Sequence, residues 1–176
     1  IGGAAKDALT GCTGWGAREW WAIHPGEGNL KTRTLGLVSS IAAGLAIALP
    51  NRKVIAIDGD GAFLMNLCGL PTIALQNPGN LIHLLFDNEI YEASGGTATA
   101  SRHSDAVVIA RGAGYKHARW LTTPEEFHAE FVRAWERNEL TLLAVKVDPG
   151  QPKNLPPLRL DEIENKYHFI RYLEAT

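Results

Sequence analysis

VIAIDGDGAF, Val54–Phe63, sets four apolar residues directly before two Asp-Gly pairs. The short β-branched run predicts a buried strand over Lys53–Ile57. The Asp-Gly pairs have two readings. Asp-Gly is a good turn, and Gly59-Asp60-Gly61-Ala62 is then only a tight way out of the strand. Alternatively, the glycines admit a phosphate with no Cβ in the way. The next helix then aims its free N–H groups at that phosphate, and Asp60 gives a hard oxygen to a divalent cation. Asp58 is expected to be a local turn residue under either reading.

Elements alternate on both sides of this strand. Upstream, GWGAREWWAIHPG reads as a turn and a short aromatic helix, and Leu35–Leu49 as a buried helix stopped by Pro50-Asn51. That apolar stretch is about fifteen residues long and carries two serines and two glycines, whereas a membrane span needs about twenty apolar residues. Downstream, a helix is expected over Asn66–Gln76, ended by Asn77-Pro78-Gly79, then a second buried strand over Leu81–Phe86. The loop YEASGGTATASRHS leads to a helix over Asp105–Gly112 and a third strand over Tyr115–Trp120. Thr123 caps a helix that begins with Pro124 and two acids and runs to about Asn138. Leu140–Val147 is the last strand; Pro149-Gly150 and Pro156-Pro157 end the pattern, and Asp161–Leu173 closes the chain as an amphipathic helix. Strands separated by helices imply one α/β domain over residues 1–176, a three-layer domain with a mostly parallel sheet between helices. Ligands of such sheets bind at the carboxyl ends of the strands. Both unusual loops, DGDGA after Ile57 and DNEIYEASGG after Phe86, fall there.

Composition narrows the function classes. The chain has 176 residues, is 45% hydrophobic and carries a formal net charge of −2; its length suffices to bury roughly 70% of the unfolded surface. The charge and the lack of a basic run argue against nucleic-acid binding. No signal peptide pattern opens it, and no membrane role is expected. Its first residue is Ile1 rather than Met, so the native start is expected to be missing or processed. Cys12 and Cys68 lie outside any CxxC or Cys/His cluster, which fits a reducing cytoplasm and no zinc, iron–sulfur or disulfide framework. A Rossmann dinucleotide site is disfavoured because no GxGxxG comes after the first strand.

The second loop sharpens the first. Asn88 lies 28 residues after Asp60, just past the next strand. A strand–helix–strand crossover sets two such loops side by side, so a carboxylate and an amide oxygen can share one hard cation with a bound diphosphate. GDG, a spacer and an asparagine resemble the thiamine diphosphate (ThDP) motif. The whole stretch GDGAFLMNLCGLPTIALQNPGNLIHLLFDNEIYEASGG is similar to the cofactor-binding half of sulfopyruvate and phosphonopyruvate decarboxylases. The likeness extends through TGWGAREWWAI and LGLVSSIAAGLAIALP upstream and VKVDPG downstream.

That resemblance implies a ThDP-binding fold and a Mg²⁺- and ThDP-dependent carboxy-lyase acting on a small 2-oxoacid. It implies Asp60, the Asn88 side chain and the Ile90 carbonyl as metal ligands. Gly59, Gly61 and Ala62 would border the diphosphate, and Leu35, beside Gly36, would wedge between the cofactor's rings; a plain core leucine is the other reading of Leu35. Tyr91, Glu92 and Ser94 would lie near the thiazolium as catalytic candidates, with Tyr91 also touching cofactor. Each also has a purely structural reading, as packing aromatic, surface charge and turn residue. The family's Gly-Ser-Met-Gly is here Arg33-Thr34-Leu35-Gly36, its Gln after Gly-Gly is Thr97, and its Ser-Thr is Ala93-Ser94, so the substrate need not be the usual one. Arg33 either meets an anionic substrate group or is a solvated surface residue. The glutamate that activates the aminopyrimidine belongs, in this family, to a separate pyrimidine-binding domain that the sequence does not contain. A pyrimidine-binding α subunit, or a further portion of the chain, is therefore the expected partner. A ThDP-dependent carboligase half and a non-catalytic diphosphate-binding regulatory module remain as alternatives; an oxidoreductase subunit is disfavoured because iron–sulfur cysteines are missing. Trp15, Trp20 and Trp21 read either as partner surface or as core, and His24, His103 and His117 as scattered histidines.

Overall fold

A computed structural model describes residues 5, 7–156 and 161–176. Pro157, expected to help end the strand–helix pattern, lies outside the described residues. Six parallel strands form the main sheet in the order β2-β1-β3-β4-β8-β7. They are β1 Leu9–Thr13, β2 Asn29–Thr32, β3 Val54–Gly59, β4 Leu81–Asp87, β7 His117–Leu121 and β8 Thr141–Lys146. Two short strands, β5 Ile90–Tyr91 and β6 Thr97–Ala98, make a separate antiparallel hairpin.

Strand periodicity explains the three layers. Because successive side chains point to opposite faces, Val54 and Ala56 of β3 join one core while Ile55 and Ile57 join the other. The first core is closed by α2 (Val38–Ala48), α4 (Gly69–Gln76), α5 (Ala106–Ala113) and Phe169 of α7 (Glu162–Ala175). The second is closed by Ala17 and Trp20 of α1 (Gly14–Ile23) and by Phe131 and Ala134 of α6 (Pro124–Arg137). Burial on both faces is why the central strands read as continuous apolar runs rather than alternating ones. The cap expected at Thr123 is present: its hydroxyl accepts the Glu126 N–H at 3.1 Å. Among the described residues no helix is long and apolar enough to cross a membrane.

Two strands of the main sheet escaped the sequence reading, as did the short β5–β6 hairpin. LTGCT (β1) and NLKT (β2) are short and rich in small or polar residues, yet β1 pairs on both sides, with β2 and β3. Polar side chains stabilise this part of the sheet: Thr10 Oγ1 donates to Asn29 Oδ1 at 2.6 Å and Trp20 Nε1 donates to the same oxygen at 3.0 Å. Trp20 is therefore a core residue, Trp21 packs against the same core, and Trp15 stays partly exposed with the Arg18 guanidinium 5.8 Å from its ring centroid. Asp58 is also corrected. It is a buried strand residue, not a turn residue; one oxygen accepts the Gly59 N–H at 3.1 Å and the other lies 3.4 Å from His83 Nε2 on the neighbouring strand.

The chain leaves β1 toward β2 on one side and resumes with β3 on the other. That reversal opens a crevice at the carboxyl ends of the strands, the place where sheets of this type bind ligands. The turn after β3 and the loop after β4 both border it.

Candidate functional site

β3 ends at Gly59, and Asp60 opens a single-turn helix, α3, Asp60–Leu64. Neither Gly59 nor Gly61 has a positive φ, so conformational freedom is not why glycine stands there. At Gly61 the reason is space: a Cβ would lie 2.2 Å from Cε1 and 2.7 Å from Cδ1 of Tyr91. The Tyr91 ring thus lies directly over the turn. Gly36 does need its freedom, with φ +83°, and a Cβ there would press on Met65 Cβ at 3.1 Å. This contact sets Leu35, 40% exposed, beside the end of α3.

The loop after β4 is held by two side-chain turns. Asp87 Oδ1 accepts the Glu89 N–H and Asn88 Oδ1 accepts the Ile90 N–H, each at 3.1 Å. Glu89 takes a left-handed φ of 62° between them. The β5–β6 hairpin then carries the chain back, with the Thr99 N–H donating to the Glu89 carbonyl at 3.0 Å. In consequence Thr99 and Ser101 reach Asp60.

Asp60 is only 3% exposed. Its Oδ2 accepts from the hydroxyls of Thr99 and Ser101, the latter at 2.9 Å, leaving Oδ1 without a hydrogen-bond partner among the described residues. No lysine, arginine or histidine among the described residues forms an ion pair with it. A carboxyl group held by hydroxyl donors, with one oxygen free and no basic side chain paired to it, is a ready ligand for a hard cation. Asp87, 1% exposed, differs: Lys146 Nζ reaches its Oδ2 at 2.8 Å and Glu89 at 2.7 Å. Burial opposes it, but these two carboxylates hold the Lys146 ammonium above its ordinary pKa. The oxygen-rich donor set of Asp60 and the neighbouring Asn88 loop suits a hard divalent ion, and the Gly61–Ala62 amides belong to a first helical turn whose N–H groups lack intrahelical partners.

The other expected residues divide. Tyr91 covers the turn. Glu92 accepts the Gly150 N–H and neighbours Glu19 of α1. Burial first, and then Glu92, push the Glu19 carboxyl above its ordinary pKa. Ser94 lies on the exposed turn at Glu92–Ser94 and makes no side-chain hydrogen bond among the described residues. Arg33 pairs with Glu162 of α7 at 2.9 Å. Sequence reading missed Thr99, Ser101, Asp87 and Lys146. His24 stacks on Trp20 at 4.9 Å, His117 pairs with Glu139 and His103 is exposed, so the three histidines do not converge.

Fold and crevice define a cofactor-binding α/β domain, and comparison with known proteins gives its family. Residues 10–145 match the family described as thiamine pyrophosphate enzyme, C-terminal TPP binding domain, and the chain belongs to it. Among curated proteins it is 34% identical to the sulfopyruvate decarboxylase subunit beta of Methanothermobacter thermautotrophicus, over 100% of this chain and 92% of that one. It is 29% identical to the phosphonopyruvate decarboxylase of Streptomyces viridochromogenes, over 81% of this chain but 36% of that longer protein. The fold is also that of the Rhodococcus jostii RHA1 thiamine diphosphate-dependent 4-hydroxybenzoylformate decarboxylase, with a TM-score of 0.64 at 21% identity, over 83% of this chain and 30% of that one.

Proposed function

We propose that this chain is the cofactor-binding subunit of a ThDP- and Mg²⁺-dependent 2-oxoacid decarboxylase of the sulfopyruvate or phosphonopyruvate type. The observation that carries the reading is Asp60, a buried carboxylate with no basic partner among the described residues, beside the Asn88 loop in the crevice of the sheet. Asp60, the Asn88 side chain and the Ile90 carbonyl would hold Mg²⁺. Gly59 would border the diphosphate, and the Gly61 and Ala62 amides would donate to it. Leu35, exposed and apolar, is free to pack against the cofactor. When bound, ThDP supplies the electron sink that decarboxylation of a 2-oxoacid requires.

The protein's own contribution is orientation, exclusion of water and protons. Tyr91 closes one side of the turn. Glu92, beside the raised carboxyl of Glu19, stands on the loop that continues from the metal site, and Ser94 stands at its tip; these are the candidate proton carriers. Arg33 is engaged by Glu162, which favours its surface reading over a substrate contact.

The site is half of one. The glutamate that activates the aminopyrimidine would come from a pyrimidine-binding α subunit or from a further domain. Leu35, Leu37, Met65 and Leu67, exposed around the turn, form the kind of apolar rim that a partner covers. A reducing, cytoplasmic setting goes with the free Cys12 and Cys68. The carboligase alternative uses the same site. The regulatory alternative is disfavoured because the chain carries both Asp60 and Asn88, which a decayed site need not keep. The test is turnover. Sulfopyruvate or phosphonopyruvate should be decarboxylated by the chain combined with a pyrimidine-binding subunit and scarcely at all by the chain alone. Robust turnover by the lone chain contradicts the half-site reading.

A further inference from the structure

Between the two loops that carry the metal ligands stands one hydroxyl. Ser101 Oγ is 2.9 Å from Asp60 Oδ2 and 3.0 Å from Asp87 Oδ1, and Thr99 Oγ1 lies 2.8 Å from it while itself donating to Asp60. All four side chains are buried. Asp60 opens the helix after β3, Asp87 immediately precedes Asn88 after β4, and Ser101 arrives from beyond the β5–β6 hairpin. No strand pairing fixes one loop against the other past the Gly59–Phe86 register at the end of the β3–β4 ladder. The span from Asp60 through Ser101 to Asp87 does.

The proton count shows which bonds are made. Two hydroxyls offer two hydrogens. With Thr99 donating to Asp60, Ser101 has a single hydrogen for two carboxylates. Ser101 shares that hydrogen between Asp60 Oδ2 and Asp87 Oδ1, both within hydrogen-bond distance, while Asp87 also has the Lys146 ammonium and the Glu89 N–H. Asp60 has only the hydroxyls. The arrangement aims Asp60 without neutralising it, leaving its charge for a cation.

We infer that Thr99 and Ser101 are positioning residues for the divalent cation, and that Ser101 sets the spacing between the Asp60 and Asn88 loops. The inference rests on the reading of Asp60 as a metal ligand. Its consequence concerns ion selectivity. Mg²⁺ demands near-octahedral geometry at short distances, whereas Ca²⁺ accepts longer and more variable coordination. A strut between the ligand loops therefore matters more to Mg²⁺ than to Ca²⁺.

The experiment titrates Mg²⁺ and, separately, Ca²⁺ into the full chain in complex with a pyrimidine-binding subunit at saturating ThDP, with binding measured calorimetrically. Ser101→Ala should weaken Mg²⁺ binding by about tenfold or more, the usual scale for a lost partner behind a metal ligand. Ca²⁺ should weaken by clearly less, and Ser101→Thr, which keeps the hydroxyl, should restore Mg²⁺ binding. Wild-type Mg²⁺ affinity in Ser101→Ala, or equal losses for the two ions, overturns the inference while leaving the metal reading intact. If Ser101→Ala does not fold, Thr99→Val decides by the same two-ion comparison. A wild-type complex that binds neither ion overturns the metal reading and the inference with it.

Discussion

Tyr91 and Gly61 meet so closely that each explains the other. The ring occupies the space of a missing side chain, which ties the loop after β4 to the turn after β3. Gly61→Ala should cost about 1–3 kcal/mol, the scale of an overpacked site, and displace the ring. In a Tyr91→Leu background the same change should cost far less, measured by denaturant unfolding in a double-mutant cycle. Additive losses would show that the ring is not the reason for the glycine. At this scale the sequence foretold that the Asp60 turn and the Asn88–Tyr91 loop would adjoin, because the two loops carry a spaced pattern of distinctive residue types. It told nothing of Thr99, Ser101 or Lys146. Thr99 and Ser101 reach Asp60 across 39 and 41 residues through a hairpin whose strands are two residues each. Lys146 reaches Asp87 across 59. Asp58 misled for a related reason. Asp-Gly is a turn signal, and only the neighbouring strand supplies His83.

Elements show the same division between local and long-range information. β3, β4 and β8, and the helices with caps or breakers, were legible because their signals are contiguous. β1 and β2 were not, because threonine, glycine and asparagine there pair through the sheet and through Asn29 rather than by apolar pattern. Within the β3–β4 pair, His83 and Asp58 are both fully buried as side chains. His83→Ala should cost about 3 kcal/mol, by cavity formation and by orphaning a buried carboxylate. A loss under about 1 kcal/mol in chemical denaturation would show that the pair does not hold the strands. α7 is fastened to β2 differently. Glu162 accepts from Lys31 and Arg33, each at 2.9 Å. Its hydrogen bond to Lys31 is the largest cause that brings its carboxyl down from 4.5 to about 2. Because the folded value lies below the unfolded one, this contribution is complete above the ordinary glutamate range and is lost as pH falls toward 2. Amide exchange in α7 should therefore accelerate selectively below about pH 4. Exchange that is insensitive to pH down to 2, after correction for its intrinsic rate, would show that Glu162 does not fasten the helix.

The whole molecule is a scaffold that delivers two loops to one crevice. The reversal between β1 and β3 opens the crevice, the crossover from β3 to β4 sets the loops adjacent, and the hairpin brings hydroxyls behind them. Fold class was legible from alternation alone. The expectation of a half-site came only through resemblance, since no pattern of residues within a chain states what a partner would contribute. The measurement closest to the central claim is the thermal stability of the chain combined with a pyrimidine-binding subunit, titrated with ThDP plus Mg²⁺ and, in parallel, with NAD or ATP plus Mg²⁺. Ligand at about a hundred times its dissociation constant stabilises by about 2.7 kcal/mol, a rise of roughly 5–10 °C for a domain of this size. ThDP with Mg²⁺ should produce that rise, NAD and ATP should not, and Asp60→Asn should abolish it while melting no lower than wild type without cofactor. No rise with ThDP and Mg²⁺, or an equal rise in Asp60→Asn, would contradict the assignment of this crevice to ThDP.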